Sequence, residues 1–298
     1  MQDSSVGAST SSESKGRSWG AERRLQFIDF RLRWEGRINR ADLTDHFGVS
    51  IPQASLDISK YTELAPANLE YDRSSKTYVA TSSFRSVFPQ TSAHHYLAEL
   101  LATKTGVLDG SSSFIGVVPE TVLVPTPGRN LNETIVAAVV KAIREKLSIF
   151  VNYQSMSSLD ESARLLSPHS LGFDGFRWHV RAYCHRRKSF NDFVLARILN
   201  LEGFAPEYVD ASDDAHWHTW VTLVLAANPK LELSKKRVIE LDYGMIRGEA
   251  ELPCRQAFLL YTLKRLGLMN EQSDDPVIQH IFLKNRADIQ PYIDGLKT

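Results

Sequence analysis

The 298-residue sequence predicts an α+β chain in three modules. Three observations carry that expectation. Near the N-terminus, two short helical periods meet at a glycine turn and run into a β-prone hairpin. From Ile149 to Arg197, short strands of alternating polarity follow one another around tight turns. After Leu201 the composition changes again, to strand and helix signals in alternation.

Composition narrows the function classes. Hydrophobic residues make up 43%, enough for ordinary cores, and Lys plus Arg (35) equals Asp plus Glu (35). A neutral chain is not a globally basic nucleic-acid coat, although local basic patches stay open to it. Cys184 and Cys254 both lie in apolar runs without a CxxC, the usage of reduced, buried cytosolic thiols. No apolar run reaches the ~18–20 residues of a membrane span. Met1–Ser18 is serine-rich and lacks the apolar core of a signal peptide, so residues 1–19 are expected to form a disordered tail of a cytoplasmic protein.

The first module is expected over residues 20–88. Ala21–Trp34 places Leu25, Ile28 and Leu32 at helical spacing, with Phe27, Phe30 and Trp34 widening the stripe, and Gly36 stops it. Arg40–Phe47 follows as a shorter helix with Asn39 as its cap. Gly48-Val49-Ser50 makes a turn, and Ser50 caps a third helix with Pro52 in its first turn, where a missing N–H costs nothing. Helical spacing puts Ile51, Ala54, Ile58 and Tyr61 on an inner face of that helix. Pro52, Gln53, Leu56, Ser59 and Lys60 fall on the outer one. Helix, glycine turn, helix is the helix-turn-helix spacing. Asn68–Asp72 and Lys76–Ala80 then flank Arg73-Ser74-Ser75 as a hairpin with a basic tip, which makes the module a winged helix.

The outer set suits duplex DNA. Gln53 offers an amide to adenine and Leu56 an apolar contact to a thymine methyl. Ser59, Lys60, Arg40, Arg73 and Lys76 are placed to hold phosphates, and Ser50, Pro52, Ser55 and Ser74 complete the candidate contact set. The competing reading is a winged helix used for protein contacts, with Leu56 facing a partner. Asp42, Asp45 and Asp57 keep the module from being strongly basic, so one copy should bind weakly and need a dimer.

Residues 89–130 read as a connector. Tyr96–Ala102 is a short helix. His94-His95 lacks a third ligand and is read as structural, with no metal and no cofactor expected. Val117–Val124 reads as a strand closed by Pro125-Thr126-Pro127-Gly128. Leu131–Leu147 is an amphipathic helix, with Glu133 early and Lys141, Arg144 and Lys146 late, in keeping with the helix dipole. It opens a second module over 131–205, with strands at Ser148–Ser155, Ala163–Leu171, Arg177–His185 and Phe190–Leu199. Phe173-Asp174-Gly175-Phe176 supplies a tight turn. On the third strand Trp178, Val180, Ala182 and Cys184 face a core, while Arg177, His179, Arg181 and Tyr183 face the other way. Tyr153, Ser155, Arg164 and Arg197 join that second face.

Asp174 is the only acid between Ala163 and Asn191. Guanidinium forks bind anionic oxygens and tyrosine stacks on bases, so the face suits a phosphate-bearing ligand. Its plain alternative is a solvated basic surface. A helix on a small, bent antiparallel sheet resembles an Sm-like β-barrel. In the last module, over 206–298, Trp217–Ala226 reads as a strand, Ser234–Leu241 as a helix and Gly248–Leu252 as a strand. Pro253 opens a long helix, Cys254–Leu266, apolar nearly all round, which points to a subunit interface. His216-x-His218 at a strand start lacks a third ligand and is read as structural.

The order of these modules resembles the WYL-domain transcriptional regulators from about Gly20 onward. Tyr153, Arg164-x-x-x-Pro168, Trp178 with its two followers and Arg197-Ile198 match that family's central pattern. Residues 65–72 (Ala-Pro-Ala-Asn-Leu-Glu-Tyr-Asp), Lys76-x-Tyr78 and Ser167-Pro168-His169 are similar to regulators encoded beside phage-defence systems of the BREX and CBASS kind. The naming tripeptide stands here as Trp178-His179-Val180, so a titratable imidazole replaces a phenol.

The resemblance implies a C-terminal α/β dimerisation domain and a ligand pocket at Tyr153, Ser155, Arg164, His169, His179, Arg181 and Arg197. It further implies a homodimeric repressor of a phage-defence operon, bound to an inverted-repeat DNA operator and released by a nucleotide or short nucleic-acid ligand. An RNA- or single-strand-binding module stays open beside it. An enzyme acting on nucleotides finds less support, since the sequence has no paired carboxylates, no GxSxG, no P-loop and no metal set.

Overall fold

The computed structural model describes residues 9–156, 161–269, 275–276 and 278–296. The chain divides into two compact units, Met1–Pro125 and Thr126–Thr298.

The first unit contains α1 (Ser9–Glu35), β1 (Arg37–Ile38), α2 (Arg40–Phe47), α3 (Ile51–Leu64), β2 (Leu69–Asp72), β3 (Thr77–Ala80) and α4 (Ala93–Lys104), with the sheet ordered β1-β3-β2. A reciprocal capping box starts α2: Asn39 accepts from the Asp42 amide, and Asp42 accepts from the Asn39 amide. Gly48 ends α2 in the left-handed region (φ 65°), and Ser50 caps α3. The core gathers Phe27, Phe30, Leu32, Leu43, Ile58 and Tyr61.

Three features of this unit depart from expectation. The backbone of α1 already turns at Ser9, inside the stretch read as a tail, because a helix anchored by its later turns propagates at one hydrogen bond per residue. Residues 1–8 of that stretch lie outside the described residues. The connector is also part of the core. Phe114 packs edge-on to Phe27 at 5.2 Å, and Tyr96 of α4 stacks on Trp34 at 4.4 Å. Glu99 ties the two together by accepting from the Ser113 hydroxyl and the Phe114 amide. Val117–Val124 is not a strand. It forms no ladder, and Pro119 and the prolines that follow interrupt the donors an edge would need.

The second unit opens with α5 (Glu133–Glu145) and the strands β4 (Ser148–Tyr153), β5 (Ser162–Phe173), β6 (Trp178–Cys184), β7 (Ser189–Val194) and β8 (Ile198–Ala205). All pair antiparallel in the order β7-β6-β5-β4-β8. The expected fourth strand is therefore two, broken by a 3₁₀ turn at Leu195–Arg197. The sheet does not close into a barrel: among the described residues β7 and β8 form no ladder with each other. Their ends are drawn together instead by the buried Tyr153, whose hydroxyl accepts from the Val194 amide while its own residue pairs with Ile198. The β5–β6 turn spans four residues. Gly175 supplies the positive φ (97°), and the Asp174 carboxylate accepts from the amides of Phe176 and Arg177.

The rest of this unit consists of α6 (Ala215–His218), β9 (Trp220–Ala227), α7 (Leu233–Asp242), β10 (Glu249–Arg255), α8 (Leu259–Arg265), β11 (Ile281–Leu283) and α9 (Arg286–Gly295), with a sheet ordered β10-β9-β11. Residues 215–218 are a helical turn rather than the start of a strand, since Asp214 caps them by accepting from the Trp217 amide. Pro253 and Cys254 belong to β10. That strand is an edge, so the missing proline N–H goes unused, and the helix begins only at Leu259.

The apolar circumference of this helix and the turn before it is spent within the chain. Leu259 and Leu263 fill the local core, while Phe258 and Tyr261 lie on His179 of β6 at 6.1 and 4.8 Å between ring centres. Gly172 of β5 makes that approach feasible: a Cβ there would fall 2.0 Å from Phe258 Cζ.

Candidate nucleic-acid interface and ligand pocket

In the first unit, α3 presents an open face. Ser50, Pro52, Leu56, Ser59 and Lys60 are exposed, and so are Arg73, Ser74 and Lys76 at the hairpin tip. Ile51, expected inside, is 65% exposed and extends the apolar part of that face, because the first turn of α3 projects past the core. Its place in the interior is taken by Asp57, fully buried and paired with Arg24 (Nε–Oδ2 2.6 Å). Gln53 is half-buried and donates its amide to Asp57 Oδ1 at 3.0 Å, so the group expected to read adenine is engaged within α3.

Arg40 is pinned from two sides. Its Nε donates to Ser55 Oγ at 2.8 Å and its Nη2 to the Tyr78 hydroxyl at 3.2 Å, so α2, α3 and β3 fix one guanidinium at the edge of the face. Arg37, exposed on β1, adds a cation that the sequence reading passed over. At the tip, Asp72 accepts from the amide and hydroxyl of Ser74 and from the Ser75 hydroxyl. Those bonds hold its carboxyl down at about 2, and they shape the turn that projects Arg73 and Lys76.

Beneath the face, Asp29 of α1 accepts from Tyr61 (2.5 Å), Ser86 (2.6 Å), Thr91 (2.6 Å) and the Val87 amide (3.2 Å). Burial and that carboxylate push the Tyr61 hydroxyl far above its ordinary range. This network ties α1, α3 and the segment after the hairpin into one support.

The second unit holds a cavity of about 660 Å³ between the central sheet and the C-terminal helices. Tyr153, Ser155, Arg164, Arg181 and Arg197 line it. His169 and His179 are not among its lining residues. His169 Nε2 lies 3.0 Å from Asp214 and His179 Nε2 lies 3.0 Å from Asp174, both with side chains almost wholly buried. The second face of β6 is thus covered by Phe258 and Tyr261 rather than wet. Asp192, Phe190, His216, Leu260 and Tyr261 also line the cavity and were missed. Phe190 and Asp192 lie on β7, His216 on α6 and Leu260 and Tyr261 on α8, and no spacing in the sequence joins these three elements.

The arginines are not equivalent. Arg181 is bidentate to Asp214 (2.7 and 2.9 Å) and also reaches Asp192 at 3.2 Å. Burial opposes the charge on Asp214, but hydrogen bonds from Arg181 and His169 outweigh it and hold that carboxyl well below the usual range. Burial pushes Asp192 up, against the attraction of Arg181. Arg164 is different. It is buried to 8% exposure, its Nε has no hydrogen-bond partner, and no carboxylate lies within ion-pair distance among the described residues. A desolvated cation without a partner is costly, and an anion in the cavity would relieve it. No group of three His, Cys, Asp or Glu side chains is arranged to hold a metal among the described residues, and no described helix is long and apolar enough to cross a membrane.

Comparison with known proteins follows the same division. Residues 20–102 match the winged helix-turn-helix domain of BrxR transcriptional regulators, residues 134–202 the WYL domain, and residues 220–289 the C-terminal dimerization domain of BrxR regulators. The DNA-binding transcriptional repressor CapW of Pseudomonas aeruginosa is 46% identical over 98% of this chain and 99% of its own length. CapW of Escherichia coli (strain KTE188) is 46% identical over 92% of each chain, and CapW of Stenotrophomonas maltophilia 42% over 96% and 98%. Among solved structures, the proteasome accessory factor B/C of Arthrobacter aurescens aligns at 16% identity and a TM-score of 0.25. This chain spans about half of that one (48%), with 92% of its own length covered.

Proposed function

We propose that this chain, which belongs to the family of WYL-domain transcriptional repressors that includes CapW, is itself a DNA-binding repressor that acts as a homodimer. The observation that carries this reading is the open face of α3, with Leu56 and Lys60 exposed, Arg40 fixed at its edge, and Arg73 and Lys76 on the adjoining tip. That arrangement supports a helix entering the major groove while the hairpin and α2 hold backbone phosphates. With few cations per copy, two copies on an inverted repeat supply the affinity one lacks.

Self-association is supported by α7 and the turn after it. Ile239 is the one buried residue of this ten-residue helix, whereas Leu233, Val238 and Leu241 are 85%, 54% and 64% exposed. A helix so lightly held draws its stability from a covering partner, and a second copy brings the same apolar patch.

We assign the Arg164–Arg197 cavity as the site of an anionic, nucleotide-like ligand that releases the repressor, in keeping with a regulator of a phage-defence operon. The ligand can do so only if it favours a state that holds DNA less well. The unpartnered guanidinium of Arg164 supports this assignment, and the walls from α8 and α9 couple the cavity to the C-terminal module.

Binding of the full chain to duplexes from upstream of its own reading frame, followed by fluorescence anisotropy across a salt series, tests the DNA reading. Lys60→Ala should weaken all duplexes alike and reduce the salt slope by about 0.9. Leu56→Ala should cost about 1 kcal/mol on the operator and little elsewhere. A wild-type chain that does not distinguish its own upstream duplex from a scrambled one overturns the reading.

A further inference from the structure

The first unit holds a cavity of about 430 Å³ that DNA recognition leaves unused. Its volume falls within the roughly 300–1,000 Å³ typical of small-molecule sites. Trp19 and Arg23 come to it from α1, and Gln90 from the 3₁₀ turn at Pro89–Thr91. Ala98 of α4, with Leu108 and Phe114 from the segment after it, supplies the remaining wall.

Two groups in this cavity lack the partner their chemistry requires. Arg23 is half-buried, with its guanidinium carbon 5.7 Å from the ring centre of Trp19 and 5.5 Å from that of Phe114. The two rings hold the fork in place, yet no carboxylate lies within ion-pair distance of it among the described residues. Glu22 and Glu99 line the same cavity, but Glu22 accepts from Gln26 at 3.5 Å, and Glu99 from Ser113 and Phe114. Burial, then Arg31 and Arg23, hold His46, packed on Phe114, below its ordinary range, the mark of a positive field left unneutralised. The second group is the Gln90 side-chain carbonyl, buried with no hydrogen-bond partner among the described residues. A buried acceptor in that state costs free energy until a donor reaches it.

A lone cation and a bare acceptor in one cavity select opposite poles of a single ligand. An anion alone leaves Gln90 without a donor, and an amine alone leaves Arg23 without its counter-charge. The rest of the wall is largely apolar: Ala98, Leu108 and the ring of Trp19, which is 65% exposed. We propose that this cavity binds a zwitterionic α-amino acid with a large apolar side chain. Its carboxylate takes the Arg23 fork, and its ammonium donates to Gln90 Oε1, with the Glu22 carboxylate on the same wall as counter-charge. Its side chain lies on Trp19, Ala98 and Leu108. The site shares no lining residue with the Arg164 cavity.

The test titrates the full chain by calorimetry with three probes that share one ring. They are L-phenylalanine, 3-phenylpropionate, which lacks the ammonium, and phenethylamine, which lacks the carboxylate. L-Phenylalanine should bind about tenfold or more tighter than either of the others, since only it satisfies both groups. Arg23→Gln should weaken L-phenylalanine and 3-phenylpropionate by about tenfold and leave phenethylamine unchanged. Gln90→Met should weaken L-phenylalanine and phenethylamine and leave 3-phenylpropionate unchanged. Trp19→Ala, at an exposed ring, should weaken all three and leave the far-UV circular dichroism intact. Arg164→Gln in the second unit should alter none of them.

A wild-type chain that binds none of the three probes, or binds L-phenylalanine no better than the other two, overturns the proposal. So does an L-phenylalanine affinity that Arg23→Gln and Gln90→Met both leave at the wild-type value. Loss of L-phenylalanine binding in Arg164→Gln would put the amino acid in the other cavity and overturn it as well. Should one of the Arg23 and Gln90 variants fail to fold, the other decides together with the comparison of probes on the wild type.

Discussion

Arg181→Met separates a structural arginine from a ligand-binding one. Arg181 is 4% exposed and holds Asp214 through two bonds of 2.7 and 2.9 Å and Asp192 through a third of 3.2 Å. Methionine fills much of the same volume but leaves two carboxylates, Asp214 held only by His169 and the Trp217 amide, and Asp192 without its cation. Removing one partner of a buried pair costs about 3–5 kcal/mol, mostly for the charge left behind. At roughly 2–4 °C per kcal/mol for a unit of this size, the midpoint should fall by about 6–20 °C. Urea unfolding followed by circular dichroism reads the first quantity and calorimetry the second. Arg164→Met is the matched control: it deletes a buried guanidinium that has no carboxylate to strand, so it should cost less than about 1 kcal/mol. Equal losses in the two variants, or a loss below about 1 kcal/mol for Arg181→Met, would refute the division of roles. Failure of an Arg181 variant to respond to ligand would then reflect a weakened scaffold, and Arg164→Gln is the substitution that reports on the pocket.

Asp214 and Asp174 are held below the ordinary carboxylate range, so the stability they add is present above about pH 4 and is lost as pH falls through their folded values. Acid titration should thus loosen the second unit only below about pH 4, read through Trp217, which packs on His169; a transition centred near pH 6 would contradict this. Gly172→Ala should cost about 1–3 kcal/mol in urea unfolding, since its methyl would displace the Phe258 ring, and an unchanged midpoint would show that the ring moves freely. Leu241→Asp should shift the chain from dimer to monomer in sedimentation while its helix content holds. A dimer that persists in that variant would place the interface elsewhere.

The fold was legible wherever hydrophobic spacing alone decides. The capped helices α2 and α3, the hairpin after them, and the alternation along β6 all follow from residues read in a row. Misreadings arise where a polar group is satisfied from far along the chain. Asp57 reads as surface charge by spacing, yet Arg24, 33 residues earlier, pairs with it and draws it inside. Asp29 sits within an apolar stripe and is buried because donors from Tyr61, Ser86 and Thr91 converge on it. Likewise α8 reads as an interface helix because its apolar girth exceeds one core. The second surface it needed was β6 of the same unit, opened by the absent side chain of Gly172.

The same limit governs the pocket. A count of acids between Ala163 and Asn191 finds only Asp174, yet the carboxylates that meet the basic face lie just past that window, at Asp192, and on the cap of α6, at Asp214. They change its charge arithmetic. With Arg181 matched by Asp214 and His169 and His179 each occupied by a carboxylate, the cavity keeps its net positive character on Arg164 and Arg197, with exposed Arg187 at its rim. Two guanidinium groups suit one phosphate rather than a cluster of them, because each phosphate oxygen pair is filled by a single bidentate fork. A more highly charged messenger would have to find its remaining counter-charges outside this pair of guanidinium groups.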